Sequence, residues 1–321
     1  MTVFFYVQSL NCDKIKEITQ QVICLLHVFI VNPAAGKGKA LQMAEQIKKR
    51  FEGFSQPYEI KITQYPGHAT ILAEEALKAD QPVRIYSVGG DGTLNEIVNG
   101  MAGSQAELGV IPCGSGNDTV RSLYKIVDPI KLIDVLPVSS TALIDLGRFN
   151  GKYFINIASI GFDAEVVLKS RIFRRSPLIS GSMAYILGVL TAVLRMKKYR
   201  LRISVDQSET IEKDTLLSIF ANGSFYGGGM LPAPMAKMDD GLLDFCFVDK
   251  VTRLKLLRFF PAFIKGKHVG MKEVHISRGI RTVVESDIPF PYNIDGEVFT
   301  GTSAVVELIP DYLNVLVPVE K

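Results

Sequence analysis

The stretch YSVGGDGTLNEIVNG, residues 86–100, sets three glycines and Asp91 between an apolar run and the start of a helix. Glycine has no Cβ, so its backbone N–H groups can approach an anion closely, and the helix that follows points its positive end at the same place. The stretch therefore predicts a strand, a phosphate-binding turn and a helix from Leu94. Taken alone it is a weak signal, because turns use glycine for other reasons as well.

The same pattern of strand, glycine-rich turn and helix recurs through residues 25–142. It predicts a doubly wound, Rossmann-like α/β domain with a parallel sheet. Ligands of such sheets bind at the carboxyl ends of the strands. We therefore expect four turns to face one crevice, and these are residues 32–38, 63–68, 89–93 and 114–118.

Residues 143–298 follow a different pattern, with successive β-rich runs and few helical interruptions. This favours a second domain that is mainly antiparallel, a β-sandwich. The C-terminal apolar run predicts more strand, so residues 299–321 are expected to return to the first domain. Residues 1–24 show no pattern that docks them, and we expect an extension outside the fold.

The composition limits the class of protein. The chain has 321 residues, of which 47% are hydrophobic and 21% charged, and its net charge is +3. This length exceeds what one core usually supports, and no tract is polar enough to be disordered. The small net charge argues against a dedicated nucleic-acid binder. The four cysteines form no CxxC pair, which argues against a zinc site and favours a reducing, cytoplasmic location.

One uncharged stretch, residues 176–194, is close to the length that spans a membrane, and basic residues flank it on both sides. Three readings stay open: a transmembrane helix, a buried helix, or a helix beside a lipid-facing cleft whose cationic flanks attract anionic headgroups. A span would put the GGDGT half and the later acidic motifs on opposite sides of the membrane. A single site built from both halves would exclude it.

Five blocks, in order, carry a resemblance to a known family. They are NPAAGKGKA (32–40), VGGDGTLNEIVNG (88–100), GVIPCGSGND (109–118), GGGMLPAPMAKMDDGLLD (227–244) and NIDGE (293–297). Together they resemble the signature blocks of the soluble lipid kinases that share the diacylglycerol kinase catalytic domain, which sphingosine and ceramide kinases also contain. Five ordered blocks are far more specific than any one of them.

The resemblance implies ATP-dependent phosphoryl transfer to a lipid hydroxyl, with ATP and Mg²⁺ as cofactors. The residues it assigns to ATP are Asn32, Pro33, Ala34, Ala35, Gly36, Thr63, Gly89, Gly90, Asp91, Gly92, Thr93, Leu94, Asn95, Glu96, Ser115 and Asp118. Ser115 stands where the family more often has threonine, and its hydroxyl keeps the same hydrogen-bonding capacity. Independently of the family, Asp91 and Asp118 on neighbouring turns suit Mg²⁺, which keeps several waters and binds through one or two carboxylates.

The resemblance also assigns residues of the second domain, which it marks as the lipid-substrate domain. Glu297 corresponds to the general base on the acceptor hydroxyl, and Asp145 to an acid beside that base. A second, structural Mg²⁺ site corresponds to the carboxylate of Asp240 with the backbone carbonyls of Lys237 and Leu242. From the sequence alone, a solvated acidic turn is the other reading of this loop.

The expected protein is a lipid kinase at the inner face of the membrane, a peripheral partner of its lipid substrate. Diacylglycerol is the first choice of acceptor and gives phosphatidic acid; phosphatidylglycerol, a sphingoid base and a polyprenol stay open, and the oligomeric state is not indicated. An NAD kinase also uses GGDGT and a similar fold, but it does not require the acidic block, NIDGE or the basic-flanked apolar helix. A non-catalytic binding module is a third reading, which Asp91 and Glu297 disfavour.

Overall fold

A computed structural model describes residues 24–124, 127–174, 176, 179, 181–194 and 196–318. The extension predicted at residues 1–24 lies outside these ranges except for Cys24, so it stays a prediction. Within the described residues, the strands form one hydrogen-bonded sheet of thirteen strands. This sheet joins a parallel half to a mainly antiparallel half.

The first half alternates strands and helices. Its elements are β1 (Leu26–Val31), α1 (Lys39–Phe51), β2 (Tyr58–Ile62), α2 (His68–Ala76), β3 (Val83–Gly89), α3 (Asp91–Met101), β4 (Glu107–Pro112), α4 (Asp118–Leu123) and α5 (Pro129–Val135), with short 3-10 turns at Ala35–Gly38 and Leu136–Val138. The strands pair in parallel in the order β4-β3-β1-β2. This is the predicted α/β arrangement, and it brings the carboxyl ends of the strands to one edge.

Burial explains why these segments adopt their elements. All six residues of β1 are buried, as expected for a continuous apolar run inside a parallel sheet. In α1 the buried residues recur at helical spacing along one face, and they are Ala40, Met43, Ala44, Ile47 and Phe51. Both elements therefore contribute to the core of the first half.

The sequence pattern predicts that helix α3 begins at Leu94, but in the structure it begins at Asp91. Gly90 is extended, and its carbonyl accepts the first helical hydrogen bond from the backbone N–H of Leu94 at 3.1 Å. Asp91 and Gly92 therefore lie in the first helical turn, and the glycine-rich turn is shorter than predicted.

The second half is β-rich and mainly antiparallel. Its elements are β5 (Ser140–Phe149), β6 (Lys152–Phe154), β7 (Ile157–Gly161), α6 (Phe162–Arg174), α7 (Gly181–Leu194), β8 (Tyr199–Val205), β9 (Ile211–Ala221), β10 (Leu243–Asp249), α8 (Arg253–Ile264), β11 (Val274–Gly279), β12 (Arg281–Ile294) and β13 (Glu297–Val317). Residues of α6, α7, β9 and β10 form a second apolar core, against which partly buried rings of α8 pack. The half thus contains more helix than the sequence patterns predict.

Helix α7 holds most of the uncharged stretch. It has 14 residues, and no helix in the described parts of the chain is long and apolar enough to cross a membrane. Its Tyr185 and Val189 are buried, whereas Leu190 and Leu194 are exposed. One face of α7 therefore belongs to the core and another is open to the surroundings.

Strand β13 connects the two halves of the sheet. It runs antiparallel to β12 and β5, and near its end Asn314 and Val315 pair in parallel with Glu107 and Leu108 of β4. The C-terminal strand therefore reaches the sheet of the first half. The domain boundaries expected at residues 142 and 298 stay a prediction.

Candidate active site

A crevice of about 500 Å³ is lined by residues from both halves of the sheet. Three of the four predicted turns contribute to it, those after β1, β3 and β4. The predicted ATP residues that line it are Asn32, Ala34, Ala35, Gly36, Gly90, Asp91, Gly92, Thr93, Ser115 and Asp118. The second half adds, among others, Asn156, Gly228, Asp295 and Glu297.

The side chain of Asn32 fastens the first turn to the third. Its Nδ2 donates to the hydroxyl of Thr93 at 2.9 Å, and its Oδ1 accepts the backbone N–H of Ala34 at 3.0 Å. The parallel pairing of Val31 with Val88 places the two turns side by side. Asn32 therefore fixes the entrance of both turns with one amide group.

Glycines let the turns pack backbone against backbone. At Gly36, where φ is 61°, a Cβ would lie 2.1 Å from the carbonyl oxygen of Cys113. At Gly114 a Cβ would lie 2.5 Å from the Cα of Gly90. The glycines are thus required for contacts between the turns as well as for the approach of an anion.

The carboxylates of Asp91 and Asp118 converge in the crevice. Asp91 accepts the backbone N–H of Asp118 at 3.3 Å and the N–H and hydroxyl of Thr119, both at 3.1 Å, so it also caps α4. A Cβ at Gly116 would lie 3.0 Å from Asp118 Oδ2 and 3.2 Å from Asp91 Oδ2. Two negatively charged groups therefore face the same space in front of Gly116.

Asp118 also joins the first half to the second. Its two carboxylate oxygens accept the backbone N–H groups of Gly228 at 2.8 Å and Gly229 at 2.7 Å. Burial, and after it the charge of Asp91, raises the pKa of Asp118 to about 6. A cation between the two carboxylates would favour their ionised forms, because opposite charge lowers a carboxyl pKa.

This pair of carboxylates fits Mg²⁺. The ion accepts one or two carboxylates and completes its shell with water or phosphate oxygens. Among the residues that the structure describes, no cluster of three or more histidine, cysteine, aspartate or glutamate side chains could hold a metal. A metal at Asp91 and Asp118 would therefore depend on water and on phosphate for most of its ligands.

Asp295 lines the crevice from the second half. Its Oδ1 accepts the N–H groups of Asn156 at 3.2 Å and Ile157 at 2.9 Å, and its Oδ2 those of Ile155 at 2.8 Å and Asn95 Nδ2 at 3.0 Å. Burial raises the pKa of Asp295 to about 6 in spite of these hydrogen bonds. The sequence patterns include Asp295 in the NIDGE block and assign it no role, although its place two residues before Glu297 was a usable signal.

Glu297 follows Asp295 across a tight turn. Asp295 and Gly296 have φ of 44° and 96°, and Ile294 pairs with Glu297. A two-residue hairpin turn of this kind needs positive φ at both positions, which is why Asp-Gly suits it. The turn directs Glu297 to the crevice, where Oε2 accepts a hydrogen bond from Lys152 Nζ.

The remaining predicted ATP residues lie outside the crevice lining, and they are Pro33, Thr63, Gly89, Leu94, Asn95 and Glu96. Leu94 is 2% exposed and packs in the core. Glu96 accepts the backbone N–H groups of Gly67 at 2.9 Å and Ala69 at 3.1 Å, so it holds the start of α2. Leu94 and Glu96 therefore make their contacts outside the crevice lining.

Asp145 does not line the crevice and is bonded to other groups than Glu297. Its carboxylate accepts the N–H of Gly241 at 2.8 Å and that of Asp311 at 2.9 Å, while its own N–H donates to the carbonyl of Met238 at 2.7 Å. The residue is 1% exposed. Asp145 therefore connects the acidic loop, residues 237–244, to β13.

In the acidic loop, the positive charge beside Asp240 comes from the side chain of Arg278. Asp240 Oδ2 accepts a hydrogen bond from Arg278 Nη2, and its Oδ1 accepts the N–H of Leu242 at 3.3 Å. Asp244 lies 3.4 Å from the same guanidinium. This arrangement does not fit Mg²⁺ unless Arg278 moves, so the metal role of Lys237, Asp240 and Leu242 stays a prediction.

A buried polar cluster that the sequence patterns missed adjoins the crevice. The carboxylate of Asp163 accepts hydrogen bonds from Ser159 at 2.7 Å, Tyr185 at 3.0 Å and Asn293 at 2.9 Å, and burial raises its pKa. Tyr185 and Asn293 line the crevice. The signal in the sequence was an aspartate inside the apolar run ASIGFDAEV.

An apolar cavity shares a wall with the crevice. Tyr185 and Tyr226 line both spaces. The far side of the cavity is formed by phenylalanines of α8, which are Phe259, Phe260 and Phe263. A polar crevice and an apolar cavity therefore meet at two tyrosines.

Comparisons with known proteins agree with this geometry. A sequence profile described as the diacylglycerol kinase catalytic domain matches residues 27–149, and another, described as the YegS C-terminal NAD kinase beta sandwich-like domain, matches residues 156–317. The second match confirms the predicted β-sandwich.

Two relatives are named diacylglycerol kinase. The one from Mycobacterium tuberculosis is 32% identical over 297 residues, which are 90% of this chain and 94% of its own. The one from Staphylococcus haemolyticus is 31% identical over 270 residues, which are 84% and 81% of the two chains.

A crystal structure from Bacillus anthracis, solved as that of a candidate diacylglycerol kinase, has the same fold. It covers 92% of this chain and 98% of its own, with a TM-score of 0.74 and 22% identity. The matched profiles, together with the relatives that align over most of their length, lead to one conclusion. The chain belongs to the diacylglycerol kinase family of lipid kinases, phosphotransferases whose acceptor is an alcohol group.

Proposed function

We propose that this protein transfers the γ-phosphate of ATP to the free hydroxyl of diacylglycerol, giving phosphatidic acid and ADP. One observation carries the proposal: a crevice has glycine-rich turns and Glu297 in its lining and shares the wall of Tyr185 and Tyr226 with an apolar cavity. Sites for phosphate, for a reacting hydroxyl and for an apolar chain thus adjoin. The relatives named diacylglycerol kinase support this acceptor.

The triphosphate would lie against the turns around Gly36, Gly90 and Gly116. Their backbone N–H groups and the N-terminus of α3 supply partial positive charge without bulky side chains. Asn32 holds two of these turns together, so the site is largely formed before the nucleotide binds.

Asp91 and Asp118 are the residues that would hold Mg²⁺, which when bound neutralises phosphate charge. Asp91 is fixed by the start of α4, and Asp118 by Gly228 and Gly229 of the second half. Neither carboxylate therefore depends on the ion for its position, and the phosphate side of the site includes a contact from each half.

Glu297 would act on the acceptor hydroxyl. The hydroxyl oxygen bonds to the γ-phosphorus, the bond from that phosphorus to the ADP oxygen breaks, and the hydroxyl proton passes to the carboxylate. Because the proton becomes acidic late in the transfer, Glu297 first orients the hydroxyl. Asp145, fixed by two backbone N–H groups, braces the acidic loop and contacts no reactant in this proposal.

The apolar cavity would receive the acyl chains. Its volume of about 40 Å³ has room for only a few water molecules, so a chain can enter only if α8 moves outward. No residue of α8 is fully buried. Moving this helix would uncover the part of the second core that its phenylalanine rings cover, and the acyl chains would then pack between those rings and the core.

The outer faces of α7 and α8 would meet the membrane as a peripheral contact. Leu194 and Leu254 are 71% and 79% exposed, and apolar side chains on a helix surface favour insertion at a lipid interface. The basic residues after α7 are less available than the sequence suggests, because Lys198 pairs with Asp214 and Arg200 pairs with Glu212. Apolar contact therefore carries more of the proposed docking than charge does.

The acceptor is tested by incubating the protein with ATP, Mg²⁺ and a panel of lipids in mixed micelles, with products identified by mass spectrometry. Diacylglycerol should be phosphorylated fastest, and Glu297→Gln should lower turnover at least about a hundredfold, the usual contribution of a general base. Glu212→Gln, which removes an ion-paired carboxylate outside the crevice lining, is the matched control. Faster turnover of phosphatidylglycerol, a sphingoid base or a polyprenol, or formation of NADP from NAD, would contradict the proposal.

A further inference from the structure

The side chain of Glu297 is bonded to Lys152, whose ammonium group packs against a stack of aromatic rings. Lys152 Nζ donates to Glu297 Oε2 and lies 4.9 Å from the centroid of the Phe299 ring. Phe299 stacks on Tyr292 at 5.5 Å, and Tyr292 stacks on Phe149 at 4.7 Å. The ammonium group is thus set by two attractive contacts, one with a carboxylate and one with a ring face.

The backbone on both sides of this pair is fixed by tight hairpins. Asn150 and Gly151 have φ of 48° and 87°, and Phe149 pairs with Lys152 across them. Asn150 Oδ1 accepts the N–H of Val305 in β13 at 2.8 Å, and its Nδ2 donates to the carbonyl of Ser303 at 3.1 Å. The hairpin that carries Lys152 is therefore tied to the strand that begins at Glu297.

We propose that Lys152 is a positioning residue, which holds one oxygen of Glu297 so that the other faces the acceptor hydroxyl. This inference rests on the proposed function, because it assumes that Glu297 acts on that hydroxyl. A glutamate in a solvent-filled crevice has three side-chain torsions to restrict. Fixing Oε2 on Lys152 removes most of that freedom before the lipid arrives.

The exposure of the pair separates this role from a structural one. The side chains of Lys152 and Glu297 are 36% and 41% exposed, and ion pairs of such exposure add little to the stability of a fold. If replacing Lys152 lowers turnover strongly, the loss would therefore come from Glu297 and not from a less stable fold.

The test compares Lys152→Met and Lys152→Arg with the control Lys213→Met, which breaks an ion pair with Asp249 elsewhere on the sheet. Lys152→Met should lower kcat about tenfold or more and leave the KM for ATP within about twofold. Lys152→Arg, which keeps the cation, should recover most of the loss. In a Glu297→Gln background, Lys152→Met should cost nothing further, because the group that it positions is gone.

A normal kcat for Lys152→Met, or an effect on the KM for ATP alone, would overturn the inference. So would equal losses for Lys152→Met in the presence and absence of Glu297. If Glu297→Gln itself keeps near-normal turnover, the assignment of the base fails and this inference fails with it. An inactive Glu297→Gln beside a fully active Lys152→Met would overturn the positioning role alone.

Discussion

The two sides of the crevice are built in different ways. The proposed phosphate side consists of backbone turns and the two carboxylates of Asp91 and Asp118, which belong to the first half, and the second half holds Asp118 through the backbone N–H groups of Gly228 and Gly229. The proposed acceptor side consists of side chains from distant parts of the chain, such as Asp295 in the turn between β12 and β13, which bonds to Asn95 of α3 across 200 residues. Backbone suits an anion that every member of a kinase family must bind. Side chains are where one acceptor can be distinguished from another.

The largest effect is expected from the phosphate side. Asp91→Asn keeps an acceptor for the start of α4 but removes the charge, so phosphate transfer should fall about a thousandfold while the protein stays folded. Steady-state kinetics with circular dichroism measures both. Asp128→Asn is the control, because Asp128 caps α5 in the same way by accepting the N–H of Ile130 at 2.9 Å. Turnover within tenfold of normal would remove Asp91 from the metal-binding role.

A smaller effect should follow from crowding the turns. Gly36→Ala puts a methyl group against the carbonyl of Cys113, whereas Gly38→Ala, where φ is also positive at 92°, meets no atom within 4 Å. Both substitutions strain the backbone, but only the first pushes two turns apart. We expect Gly36→Ala to cost about 2 kcal/mol more, seen as a KM for ATP about thirtyfold higher. Equal KM values for the two variants would contradict the packing argument.

The smallest effect concerns pH and tests both sides together. Asp118 and Asp295 have pKa values raised to about 6, above the value of about 3.9 for an unfolded aspartate. The folded protein therefore binds these protons first, and these two groups should make the unliganded protein more stable as pH falls from 7 towards 4.

Activity should change in the opposite direction, because the proposed metal site needs an ionised Asp118. For one group with a pKa of about 6, kcat/KM should fall about tenfold between pH 7 and pH 5. The unfolding midpoint of Asp118→Asn should rise less on acidification across the same pH range than that of the unchanged protein. If activity is instead lost only near pH 4, the metal or nucleotide removes the effect of burial on the pKa of Asp118.

The phosphate side was largely predictable from the sequence. NPAAG, GGDGT and GSGND each put their functional atoms within a few residues, and parallel strands bring the ends of neighbouring strands to one edge. The start of α3 was placed too late because Asp91 and Gly92 have low helix propensity and resemble a turn. Leu94, Asn95 and Glu96 belong to the same block, yet Leu94 packs in the core, Asn95 bonds to Asp295 of the second half, and Glu96 bonds to the start of α2.

The acceptor side was less predictable, because no local pattern encodes contacts between distant strands. Lys152 reaches Glu297 through two hairpins whose association depends on the pairing of β5 with β13. Asp145 belongs to the β-rich half, as Glu297 does, but its carboxylate accepts hydrogen bonds from the N–H groups of Gly241 and Asp311. A charged residue in an apolar strand can be a brace or a catalyst, and only its partners distinguish the two.

The position of strand β13 in the chain decides when the sheet can be completed during synthesis. The open edge of β4 is paired by Asn314 and Val315, and the side chain of Asn314 also reaches the carbonyl of Gln105, 209 residues earlier in the chain. A ribosome adds roughly 5 to 20 residues per second, so this edge waits on the order of 10 to 40 s for its partner. Throughout that interval the newly made first half carries an unpaired strand edge, and its sheet is completed only once β13 has been made.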